Sequence, residues 1–174
     1  MIVFALHTGM RRGEILNLQW QAIDLNRQVL VVMRSKNGEK RTVPLNGRIT
    51  ELLQRKASKK STGSFVFTSS AETLCDARNL TRAFRLAAKK AELSDFRFHD
   101  LRHTFATRLA QAGVDLYKVQ RLLGHKTAAM TQRYAHHSPE SLRDGVLILE
   151  RLHPQISQNY HNEGESVGRC CASA

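Results

Sequence analysis

The 174 residues predict an α+β fold, mainly α, with one small antiparallel sheet near the amino terminus. Three observations lead there. Residues 29–33 and 41–45 are rich in β-branched groups and flank Asn37-Gly38, a pair that favours a tight hairpin turn because both residues tolerate the left-handed backbone. Beyond Asn46, segment after segment repeats apolar residues at helical spacing. The length suits one domain with a real hydrophobic core, since the fraction of surface buried on folding rises with size.

Taken in order, residues 1–8 read as the end of a helix, because no capping residue precedes the apolar run Ile2 to Leu6. The chain is therefore expected to open inside a domain. Gly9 breaks the run, and 11–18 resumes a helical pattern with Ile15, Leu16 and Leu18 apolar. Residues 20–25 are a candidate third strand beside the hairpin, whose second strand ends at Pro44. Helices are predicted over 48–59, 80–91, 99–112, 116–123, 128–134 and 139–153, and 62–70 is a loop with a short extended piece at 65–67. After His153 the composition turns polar and poor in large apolar groups. The division expected is a domain over 1–153 and a mobile tail over 154–174.

Lys and Arg number 27 against 15 Asp and Glu, a formal charge of +12, which favours polyanions through phosphate neutralisation and counterion release. Nucleic acid is the first partner this suggests. Cys75, Cys170 and Cys171 form neither a paired framework nor a zinc-type spacing, as expected of a reducing compartment. The opening apolar stretch is too short to span a membrane and lacks the features of a signal peptide. A cytoplasmic protein without a membrane partner is expected.

The most informative run is Phe98-His99-Asp100-Leu101-Arg102-His103, because residues three apart on a helix share a face and would set His99 beside Arg102. Taken alone, it reads more readily as a helix start with solvated charges. Leu122-Leu123-Gly124-His125 ends a helix with a glycine stop, and Tyr134 follows nine residues later on the next predicted helix. By itself Tyr134 reads as an amphipathic core residue. A zinc site is the sharpest rival, since His99 and His103 are four apart and His125, His136 and His137 follow, but the Glu of His-Glu-x-x-His is missing.

Thr8-Gly9-Met10-Arg11, Lys36 before a turn, His99-x-x-Arg102, Leu123-Gly124-His125 and Tyr134-Ala135-His136 occur in an order and spacing that resembles the phage integrase, or tyrosine recombinase, family across residues 1–151. The resemblance implies a catalytic domain that cuts and rejoins DNA through a covalent 3′-phosphotyrosine link. It makes Arg11, Lys36, His99, Arg102, His125 and Tyr134 the site. Arg11 is preferred to Arg12 on the family pattern alone, and Lys40 rivals Lys36 within the turn. Glu14 resembles the family's acidic companion to the first arginine.

The residue types suit the chemistry. Displacement at a phosphodiester gathers charge on two nonbridging oxygens, which planar guanidiniums bind in forked fashion. Tyrosine, with a pKa of about 10, needs help to ionise. His99 is the candidate base, His125 a hydrogen-bond donor to phosphate, and a hairpin lysine the acid for the departing oxygen. The resemblance implies no cofactor, neither ATP nor a metal, which energy conserved in the phosphotyrosine link would explain. The implied partners are double-stranded DNA and, on it, further recombinase subunits, the free protein being monomeric. Residues 139–153 could dock on a neighbour or pack on their own core. Relatives carry an amino-terminal DNA-binding domain that these residues do not include, which bears on target-site choice and DNA encirclement rather than on the local chemistry. The alternative reading is a catalytically inactive DNA-binding fragment of a decayed integrase.

Overall fold

The computed structural model describes residues 1–33, 40–58, 63–69, 73–135 and 146–149. The chain divides into two compact units, Met1–Ala135 and His136–Ala174. In the second, residues 146–149 are helical. The rest of the predicted 139–153 helix, the hairpin turn with Lys36, and the tail lie outside the described residues.

The first unit opens with α1 (Ile2–Thr8), which stops at Gly9 in the left-handed region, φ 60°. A side chain there would collide with the Phe105 ring, so glycine serves both the backbone and the packing. Arg11 is extended and precedes the short α2 (Arg12–Leu16), its backbone N–H donating to the Glu14 carboxylate in the first turn. The predicted strand over 20–25 is only half strand: Trp20–Ala22 makes a 3-10 turn before β1 (Ile23–Asp24). The cause is pairing on the other side, where Trp20 N–H donates to the Ser64 carbonyl and Val66 N–H to that of Leu18, tying the extended piece near 65 to residues 18–20.

β2 (Val29–Val32) and β3 (Arg41–Pro44) complete an antiparallel sheet of order β1-β2-β3, with Leu30 opposite Val43 and Val32 opposite Arg41. Leu30, Val32 and Val43 turn inward at the period of two expected of a half-buried sheet.

α3 (Gly47–Ala57) is capped by Asn46, whose side-chain oxygen accepts from Ile49 N–H at 3.1 Å. α4 (Ala77–Lys90) begins three residues before the predicted 80, because Asp76 caps it while apolar periodicity starts only at Leu80. α5 (Asp100–Gln111), α6 (Leu116–Leu123) and the single turn α7 (Ala129–Gln132) follow. The predicted helix over 128–134 is thus shorter, and Tyr134 sits in the turn after it.

Two apolar clusters hold the unit. The larger gathers Phe4, Ile15, Leu30, Val43, Ile49, Leu53 and Leu101, and the smaller Phe105, Ala106, Val119, Leu123 and Tyr134. Each fully buried Leu, Ile or Phe side chain contributes about 1.5–3 kcal/mol. α5 gives Leu101 to one cluster and Phe105 to the other, so the residues between them are held from both sides.

Candidate active site

Arg102 lies in that stretch of α5 and is 4% exposed. Its Nη1 donates to the Gly9 carbonyl at 2.6 Å and its Nη2 to the Leu123 carbonyl at 2.7 Å. These carbonyls stand at the carboxy-terminal ends of α1 and α6, where helix dipoles favour a cation. Burial, and then the neighbouring charge of Arg11, lower its pKa to about 10, so it stays charged at neutral pH. Among the described residues, two of its five N–H groups are engaged by carbonyls.

Arg11 is held through Glu14. The carboxylate accepts Arg11 backbone N–H at 2.8 Å and Arg11 Nη1 at 3.1 Å, and the Arg41 guanidinium in forked fashion at 3.0 and 2.7 Å. Burial pushes the Glu14 carboxyl up, but the bonds and charges of Arg41 and Arg11 outweigh it and hold the pKa below the ordinary value. Arg12, by contrast, is exposed and donates to Thr81 on α4 at 2.7 Å. Of the two arginines, Arg11 is the one whose charge acts on Arg102.

His99 is the residue before α5, not within it. Burial, then the charges of His103, Arg102 and Arg11, lower its pKa against the opposing pull of Asp100. His125 follows Gly124, which ends α6 at φ 66°, and its Nδ1 pairs with Thr131 Oγ1 at 2.9 Å. Burial and the surrounding Arg102, Arg11, Arg133 and Arg41 lower its pKa to about 4. All three site imidazoles, His99, His103 and His125, are therefore neutral in the resting protein.

Tyr134 is a core residue whose hydroxyl has a histidine partner. Its ring belongs to the smaller core, 6% exposed, and its hydroxyl pairs with Nδ1 of His103 at 2.6 Å. Burial raises its pKa, opposed by Arg133 and Arg102. His99, expected as the base, meets His103 edge-on at 4.9 Å between ring centroids, and it is His103 that holds the hydroxyl. Arg11, His99, Arg102, His125 and Tyr134 are thus gathered into one site, while Lys36 lies outside the described residues.

Sequence reasoning missed Arg41 and read His103 only as a zinc rival. Among the described residues, no group of three or more His, Cys, Asp or Glu side chains converges as a metal site would. An open groove of about 1050 Å³ runs beside the site, lined by Arg11, Arg12, Arg85, Lys89, Arg97 and His99 among others. A smaller one adjoins it, with Arg12, Arg78, Arg82 and Arg85.

The sequence profile of the phage integrase family matches residues 1–141. The chain belongs to that family. The integrase of Salmonella phage P22 is 33% identical to this integrase-family chain over 94% of it and 46% of the phage protein. The shufflon-specific DNA recombinase of Escherichia coli is 35% identical over 76% of this chain and 33% of its own length. The chain spans less than half of either relative. In structure, the Tn1549 transposon integrase in complex with a circular intermediate DNA is similar at a TM-score of 0.73 and 26% identity, over 85% of this chain and 57% of that one. The mainly helical catalytic fold with a small sheet is therefore that of the tyrosine recombinases. Among the described residues of this integrase-family chain, no helix is long and apolar enough to cross a membrane.

Proposed function

We propose that this chain breaks and rejoins double-stranded DNA in site-specific recombination, Tyr134 attacking a backbone phosphate to form a 3′-phosphotyrosine bond and free a 5′ hydroxyl. The observation that carries the reading is the Tyr134 hydroxyl, which shares one site with a neutral imidazole and the buried Arg102 cation. Family membership and a structural relative solved on DNA support it.

In this reading Arg11 and Arg102 clamp the nonbridging oxygens, most tightly as charge builds in the transition state. With Nδ1 of His125 engaged by Thr131, a phosphate oxygen would take the other ring nitrogen, and the neutral ring serves as a donor. One of the neighbouring neutral imidazoles, His99 or His103, accepts the tyrosine proton. Lys36, with Lys40 as its rival, protonates the departing oxygen. The basic grooves track the duplex backbone. Further subunits would join on DNA, the free chain being monomeric, and cysteines that form no paired framework suit a reducing, cytoplasmic setting.

The test uses 5′-labelled duplexes of randomised core sequence, nicked a few nucleotides 3′ of the scanned positions so that the cut fragment diffuses away. Denaturing gels of the wild-type chain should show a label-bearing protein band, and Tyr134→Phe should show none. A band that persists in Tyr134→Phe, or a wild-type chain that binds DNA without one, would overturn the assignment.

A further inference from the structure

We propose that His103 is an additional catalytic residue of this site, the base that takes the Tyr134 proton. The proposal rests on Tyr134 being the nucleophile. Three observations bring it about. The hydroxyl and Nδ1 are already 2.6 Å apart, within the range a proton crosses directly. The tyrosine has little freedom to choose another partner, because its ring is wedged among Phe105, Val119 and Leu123 and its backbone N–H is tied to the Thr131 carbonyl at 2.9 Å. His103 follows Arg102 directly and lies one turn beyond His99, so the base stands beside the cation that would receive the phosphate.

The charges around His103 are Asp100, Arg102 and His99 from its own segment and Arg133 and Tyr134 from the turn packed against it. Burial, with Arg133 and Arg102, outweighs Asp100 and keeps the imidazole neutral at pH 7, the form that accepts a proton. Asp100 then steadies the imidazolium once it forms.

The phenol proton passes to Nδ1 of His103, and the freed oxygen pair forms the O–P bond. The P–O bond to the 5′ oxygen breaks, its electron pair stays on that oxygen, and the acid assigned to Lys36 supplies the proton. Resealing reverses each transfer, with His103 returning its proton to Tyr134. His99, edge-on to His103, is left to face the phosphate.

Single-turnover formation of the covalent band on the nicked duplex pool, followed from about pH 5 to 9, tests this with His103→Ala, His103→Gln and His99→Ala. Loss of a general base costs about 10²–10⁴-fold. His103→Ala should fall within that range while retaining DNA binding, and added imidazole should restore its rate as the neutral buffer rises. His103→Gln can still hold the phenol but cannot carry its proton, so it should fold, bind DNA and remain slow. An ultraviolet titration of the DNA-free protein, with Tyr134→Phe to assign the signal, should show the Tyr134 phenol ionising at a different pH in His103→Gln. Wild-type rates in either His103 variant, or imidazole rescue confined to His99→Ala, would overturn the base assignment alone. A wild-type chain that forms no band overturns the nucleophile itself.

Discussion

Arg41 ties two parts of the site together with one side chain. Its forked bonds reach Glu14 on α2, and its Nε donates to the Leu122 carbonyl at the end of α6 at 3.1 Å. A lysine keeps the charge but cannot make both contacts, so Arg41→Lys should lower stability by about 2 kcal/mol, the worth of a hydrogen bond or two to a charged group. The pH dependence follows from Glu14, whose folded pKa lies below its ordinary 4.5. A carboxylate depressed in this way lends stability that is whole above 4.5 and lost as pH falls through the lower folded value. The gap between wild type and Arg41→Lys should therefore be widest at neutral pH and narrow toward pH 3 in urea unfolding. An equal gap at both would show that Arg41 does not act through Glu14. Arg102 and His125 were legible in sequence because each sits in a short motif of fixed spacing. Arg41 and His103 were not, since their roles depend on partners 27 and 81 residues away in one case and 31 in the other.

At the scale of elements, the stop that ends α6 is more than a stop. Gly124 has φ 66°, and a methyl group there would come within 2.8 Å of Cδ of Arg41, whereas Gly113, also left-handed at φ 76°, has open space around it. Both Gly→Ala changes incur the left-handed backbone penalty of about 1–2 kcal/mol. Gly124→Ala should cost more than Gly113→Ala in thermal or urea unfolding, and in an Arg41→Ala background the two costs should converge. No convergence would mean that Arg41 is not what the methyl group meets. Such stops were visible beforehand, as was the hairpin's strand pair, because glycine and β-branched residues act locally. The start of α4 was missed because a cap precedes the apolar pattern, and the 3-10 turn at Trp20–Ala22 because the pairing of residues 18–20 with 64–66 is nonlocal.

At the scale of the whole molecule, charge has a direction as well as a sum. The formal +12 says only that phosphate is welcome. Within the first unit, the smaller groove, next to the one beside the site, draws Arg78, Arg82 and Arg85 from one face of α4 and Arg12 from α2, while Arg11 and His99 line the larger one. Contacts of this kind position a duplex without reading its sequence, and each neutralised phosphate adds about −0.9 to the slope of log affinity against log salt. Arg82 and Arg85 are exposed, so their replacement should leave the cores intact. The Arg82→Ala, Arg85→Ala double variant should therefore flatten that slope by about 2 and weaken binding alike for unrelated duplexes. Fluorescence anisotropy on labelled duplexes of several sequences, from about 50 to 200 mM salt, measures both quantities. A slope that stays put would show that DNA does not run along this groove. A loss confined to one sequence would instead make the α4 arginines readers of bases, a role that requires bidentate contact with base edges rather than with phosphate.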